Sequence, residues 1–277
     1  MLLPYGLRND DQESATTTSD GSAVSRGVSV SSDTATDSGL SGKVTLSGQA
    51  PKNKVINMAA DPVCSKLHSE PLTTEEVVVG PEGALANVIV YVSEGADTRS
   101  VATPKEPAVI EQKGCRYQPR VVALQVGQKM RVVNSDATTH NIHPIPANNR
   151  EWNESQAPGV PPIETSFGRE EIAIPVKCNI HPWMKGYIAV LNHPYFAITG
   201  KDGGFVLKDL PPGNYMITAW HEKLGTLNQK VVIVPKEMKK VEFTFKPQGV
   251  SQSDRTGADL HSRWLNARVY ECLKFLP

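Results

Sequence analysis

The chain has 277 residues, enough for two folded units, and its 29 Lys and Arg against 29 Asp and Glu leave a formal net charge of zero. That balance supplies no field for nucleic acid. No apolar run approaches the length of a membrane span.

Met1 to Leu7 is followed at once by Arg8, Asn9 and Asp10, too short for the apolar region of a signal peptide. From Asp10 to Ser41, Ser, Thr, Asp and Gly dominate and little could be buried, so this stretch reads as a disordered tether. Gly42-Lys43-Val44-Thr45-Leu46, closed by Ser47-Gly48-Gln49-Ala50-Pro51, predicts a strand and a turn, and Ala86-Asn87-Val88-Ile89-Val90-Tyr91-Val92 predicts a second strand. Ala108-Val109-Ile110, Leu124-Gln125-Val126 and Met130-Arg131-Val132-Val133 follow. The segment Asn134-Ser135-Asp136-Ala137-Thr138-Thr139-His140-Asn141-Ile142-His143 is a polar turn entering another strand.

Val176-Lys177-Cys178-Asn179-Ile180-His181-Pro182-Trp183-Met184 is the most informative stretch. A thiolate, an imidazole and a thioether at Cys178, His181 and Met184 lack only a second imidazole to match the two-His, one-Cys, weak axial Met set of a blue-copper site. Zinc competes for Cys and His, but thioether is a poor zinc ligand. His140 and His143 both stand upstream. On a strand they face opposite ways, so one alone meets the metal, with His143 left to the surface or to a supporting contact. Asn141 is a candidate to tether the loop by hydrogen bonds.

These stretches, with Cys115-Arg116-Tyr117-Gln118-Pro119 and the Lys185-Gly186 that follow Met184, resemble the cupredoxins, with a copper loop of the compact amicyanin-like form. The resemblance covers roughly residues 105 to 191. It implies a Greek-key β-sandwich holding one type 1 copper ion on His140, Cys178, His181 and Met184. It also implies that His181 lies at the loop edge nearest solvent, with Pro182 and Trp183 as an apolar collar for a redox partner.

Phe196-Ala197-Ile198, an Asp202-Gly203 turn, Phe205-Val206-Leu207 and a Pro211-Pro212-Gly213 turn predict hairpins, with closing strands at Val231-Val232-Ile233-Val234 and Val241-Glu242-Phe243-Thr244-Phe245. They resemble the second half of a carboxypeptidase regulatory-like, transthyretin-type β-sandwich whose first half stands at residues 42 to 92. The expected fold is therefore all-β and nested, with a tail at 1–39, half-sandwiches at 40–104 and 192–247 around the copper domain at 105–191, and a C-terminal tail at 248–277. A tandem order, with residues 42 to 92 supplying the first cupredoxin strands, is the alternative. Ala258 to Phe275 has helical spacing.

Cys64 and Cys115 remain as a pair that an oxidising compartment could bridge, although connectivity is not readable from sequence. Cys64-Ser65-Lys66-Leu67-His68 offers a rival use as an auxiliary metal site, and Cys272 lies in the C-terminal tail. His193 and His221 read as packing or surface residues. The function expected is electron transfer between extracytoplasmic redox partners, periplasmic or extracellular, rather than enzymatic catalysis. A signal or membrane tether upstream of Met1 is expected. Copper storage or delivery, and a cell-surface carbohydrate-binding or adhesion module, are the alternatives.

Overall fold

Ile89-Val90-Tyr91-Val92 and Tyr187-Ile188-Ala189-Val190-Leu191 are apolar at every position, a pattern that leaves no face of either strand for water. The computed structural model describes residues 38–98 and 102–247, which fall in one compact unit. Cys272, the helical spacing over Ala258 to Phe275 and residues 1–37 of the expected tail lie outside the described residues.

In chain order the elements are β1 (Gly39–Leu46), α1 (Pro62–Lys66), β2 (Ile89–Glu94), β3 (Ala108–Gln112), β4 (Tyr117–Gln118), β5 (Val121–Gln125), β6 (Lys129–Asn134), β7 (His140–Pro144), β8 (Glu154–Gln156), β9 (Ile163–Ser166), β10 (Glu171–Lys177) and β11 (Lys185–Leu191). β12 (Phe196–Ile198), β13 (Gly204–Leu207), β14 (Gly213–His221), β15 (Gly225–Ile233) and β16 (Met238–Phe245) follow. The described residues are all-β apart from α1 and a 3-10 turn at Pro81–Gly83.

Among the described residues four sheets form, ordered β13-β1-β16, β12-β2-β14-β15, β5-β11-β10-β7-β8 and β4-β3-β6-β9. The first two contain only strands from before residue 95 and after residue 195, so the stretch carrying β3 to β11 is inserted between two parts of one sandwich. β1 lies between β13, antiparallel, and β16, parallel. There Gly42 has no alternative, because a Cβ would sit 1.8 Å from the Val241 carbonyl oxygen.

Alternation along the central strands assigns their side chains to separate cores. Val90 and Val92 of β2, with Ile217 and Ala219 of β14, face β1 and β16 in the first sandwich core. Ile188 and Val190 of β11, with Val122 and Leu124 of β5, face β3 and β6 in the second. The alternate residues Ile89, Val121, Ala189 and Leu191 form a third core between the two sandwiches, edged by Tyr187 and Trp220 whose rings meet edge-on at 5.1 Å. Beside it Arg120 donates from Nε and Nη2 to Glu222 at 2.5 and 3.0 Å, with both side chains almost fully buried.

Three expectations change. Gly39 to Ser41, counted with the tail, begin β1. The Asp202-Gly203 turn does not close a hairpin: β12 pairs with β2 and β13 with β1, so the chain there crosses between sheets. The excursion between β1 and β2 does not stay with its own sandwich. Met58 and Cys64 are buried in the β3–β11 core, with Ile56 and Leu72 against it, because four apolar groups find cover there.

Glu222→Ala leaves the Arg120 charge buried without a partner, and should cost about 3 kcal/mol in urea unfolding; an unchanged midpoint would show that water reaches the pair. His221 is buried, its Nδ1 accepting from Lys223 N at 3.1 Å while Nε2 has no partner. Burial, aided by the Arg120 charge, pushes its pKa down from 6.5 to about 4. Between those values the unfolded chain takes up a proton that the folded chain refuses. Stability should therefore fall as pH drops through that window, by on the order of 1.4 kcal/mol per pH unit. Melting temperatures across pH 4 to 7 should show the slope, and His221→Gln should flatten it.

Candidate metal centre

β10 and β11 pair through Lys177 and Lys185, and the residues between them form a tight loop. Cys178 N donates to Met184 O at 3.1 Å and Met184 N to His181 O at 2.9 Å, so the loop closes on itself and turns the three side chains inward. β7 lies beside β10, which brings His140 and Asn141 under the loop. Asn141 Oδ1 accepts from Asn179 N at 2.6 Å and Ile180 N at 3.3 Å, and its Nδ2 donates to Asn153 Oδ1 at 2.7 Å. The amide thus tethers the loop from below.

Ligand atoms of His140, Cys178 and His181 lie within 4.8 Å of one another. The three residues are 0, 1 and 2 % exposed, and Met184, at 1 %, is buried in the same core. His140 Nδ1 is 2.9 Å from His181 Nδ1, and Cys178 Sγ is 3.9 Å from the same atom. Both outer nitrogens meet carboxylates: His140 Nε2 reaches Asp136 Oδ2 at 2.9 Å and His181 Nε2 reaches Asp61 Oδ2 at 2.8 Å. His143 turns the other way, to Glu151 Oε1 at 2.6 Å and Asn179 Oδ1 at 3.2 Å.

The charges are set by hydrogen bonds that outweigh burial. Burial pushes the Cys178 thiol up, but hydrogen bonds from His140 and from the Asn141, His181 and Ile180 N–H groups bring it below its ordinary value. Burial lowers His140, yet its bonds to Asp136 and Cys178 carry it up to about 9. With no ion bound, these hydrogen bonds favour the charged form of each group over what burial alone would allow. Two Nδ1 atoms 2.9 Å apart share a single hydrogen, and its loss leaves two bare imidazole nitrogens and a thiolate facing inward, the donors a metal needs.

His181 does not lie at an open loop edge. α1 and the loop before it cover it, with Asp61 on Nε2 and Cys64 Sγ 3.7 Å away. The cover is tied down by a disulfide between Cys64 and Cys115. Trp183 is half-buried, its ring 5.0 Å from that of His181 and its Nε1 donating to Cys115 O at 3.1 Å, while Pro182 stays exposed. His68 bonds to Gly114 O at 2.9 Å, so Cys64 and His68 form no auxiliary site. Among the described residues the other metal-capable groupings, Asp61-Cys64-His181 and Cys115-Asp136-His140, share these histidines and contain the bridged cysteines. His193, bonded through Nε2 to Val92 O at 2.8 Å, and His221 lie in neither of them.

Asp61 and Asp136 were not singled out from the sequence. The pair Asp61-Pro62 signals a helix N-cap, and Asp61 Oδ1 does accept from Val63 and Cys64 N–H. Nothing local links it to a histidine 120 positions away.

No protein-family profile matches the chain, and no curated protein matches it significantly. Among solved structures, a copper-containing nitrite reductase from Thermus scotoductus shares 23 % identity over 36 % of this chain and 25 % of its own, at a TM-score of 0.29. This chain thus spans about a quarter of that protein's length. A purple cupredoxin from Nitrosopumilus maritimus shares 25 % identity over 30 % of this chain and 98 % of its own, at 0.26. Amicyanin from Paracoccus versutus shares 19 % over 36 % and 96 %, at 0.28.

Asn141→Ala should strand the Asn179 and Ile180 N–H groups and cost about 1–3 kcal/mol, read as a lower urea midpoint of the metal-free protein. An unchanged midpoint would show that the loop is held elsewhere.

Proposed function

We propose that the protein binds one copper ion through His140, Cys178 and His181, with Met184 as a weak axial donor, and works as a one-electron carrier rather than an enzyme. The observation that supports this most is the convergence of two imidazole Nδ1 atoms and one thiolate in a buried pocket whose outer nitrogens are already hydrogen-bonded. Two imidazoles, a thiolate and a nearby buried thioether are the donor chemistry of a type 1 copper site. Structural zinc takes four Cys or His ligands, and Cys64 and Cys115 are consumed by their disulfide. The cupredoxin-like motif spacing supports the same reading.

Bound copper supplies a couple between Cu(II) and Cu(I). The chain's part is to keep the donors still while charge changes. Asn141 N and His181 N donate to Cys178 Sγ at 3.5 and 3.3 Å, which spreads the thiolate's charge. Asn141 fixes the loop, and Asp136 and Asp61 fix the two rings. Storage or handover of copper requires ligands that open to a recipient, whereas here they lie under a disulfide-tied cover; that favours electron carriage. The partners are redox proteins, and a disulfide beside the site suits a periplasmic or extracellular location. Among the described residues no helix is long and apolar enough to cross a membrane.

Copper-loaded protein should show an intense visible absorption band from Cu–thiolate bonding. Cys178→Ser and His140→Ala should remove the band, and His143→Ala should keep it. Colourless, readily exchanged Cu(I) in the unmodified protein would overturn electron carriage in favour of copper delivery.

A further inference from the structure

We propose that Asp61 is a positioning residue of this centre: its carboxylate, delivered from outside the sandwich that carries the ligands, fixes His181 with Nε2 protonated and Nδ1 bare toward Cys178 and His140. The inference rests on the copper reading for its purpose, but its geometry stands alone.

Asp61 Oδ1 accepts from Val63 N at 2.7 Å and Cys64 N at 3.0 Å, and Oδ2 accepts from Thr138 Oγ1 at 3.1 Å and His181 Nε2 at 2.8 Å. Four donors fill the roughly four acceptor positions of a carboxylate. The group is therefore held against rotation, and His181 must present a hydrogen on Nε2. A helix cap alone uses only Oδ1. The second oxygen, with Thr138 as its support, is spent on the imidazole.

The same device stands on the other ring. Asp136 accepts from Gly114 N and Cys115 N, both at 2.7 Å, and from His140 Nε2. Cys64 and Cys115 thus each donate a backbone N–H to one of the two carboxylates and are bonded to each other. The path His181, Asp61, Cys64, Cys115, Asp136, His140 closes on itself through the Nδ1 contact. Outer partners of this kind change metal affinity by about 10- to 100-fold when removed.

Asp61→Ser separates the two duties of the residue. Serine keeps a good N-cap for α1 but is too short to reach His181, whereas Asp61→Asn has one acceptor oxygen and cannot serve both the cap and the ring. Full-length protein of each variant should be read three ways: metal-free melting temperature, the His181 tautomer by long-range proton–nitrogen NMR, and copper release to a chelator. Wild type should show His181 with its hydrogen on Nε2. Asp61→Ser should melt close to wild type yet lose the single tautomer and release copper about 10- to 100-fold faster, and Asp61→Asn should also lose the single tautomer. His181 with its hydrogen on Nδ1 in the metal-free wild type, or an unchanged tautomer and release rate in Asp61→Ser, would overturn the proposal. The tautomer is read without metal, so a visible band kept by Cys178→Ser would sink the copper reading while the NMR result still decides Asp61.

Discussion

Everything in the described structure hangs on the central strands of two sheets, which are covered on both faces. β2 and β14 on one side, β5 and β11 on the other, bury alternate residues in their own sandwiches and the remainder against each other. Separating the two sandwiches would expose Ile89, Val121, Ala189 and Leu191, worth roughly 1.5–3 kcal/mol for each large side chain. It would also strand Arg120 or Glu222 without its counter-charge. The halves therefore behave as one body. β11, which begins directly after Met184, is gripped from both faces and pairs in parallel with β5, so one end of the ligand loop is anchored to the deepest part of the structure.

Upon that footing the centre is organised by competition between burial and hydrogen bonding. Cys178, His140 and Asp136 are all buried enough to disfavour their charged forms, and in each case directed hydrogen bonds prevail. Outward from the thiol stand the two imidazoles and then the two carboxylates, and backbone N–H groups finish the sequence on the outermost oxygens. A buried ionised carboxylate without such donors would cost several kcal/mol. Asp61, half-buried, is held down to about 2 by its bonds to Cys64, His181, Thr138 and Val63.

What could be read beforehand was what is local. The Cys178 to Met184 spacing, the strand alternation that turns His140 and His143 apart, and the tethering amide of Asn141 all act within a few residues or along one strand; His140 stands against His181, His143 turns to Glu151, and Asn141 holds the Asn179 N–H. Alternation also explains the strands themselves. What escaped reading depends on contacts across the chain: the excursion that leaves one sandwich to cover the other, the carboxylates behind both rings, and the closing of His181 from solvent. Turn chemistry misled for the same reason. Asp202-Gly203 specifies a reversal but not which sheet receives each arm, and β1 and β2 compete for them.

The parallel pairing of β1 with β16 sets an order of events during synthesis. These strands are in register from Gly39 with Met238 to Leu46 with Phe245, so the first described strand waits for the last before its sheet closes. Such distant pairing is slow to form, and chains emerge from the ribosome N-terminus first. The inserted sandwich, by contrast, has all its strands once Leu191 has emerged, and the segment carrying Asp61 and Cys64 is already outside by then. The ligand residues and the segment that covers them are therefore complete in the chain before the strands that close the surrounding sandwich.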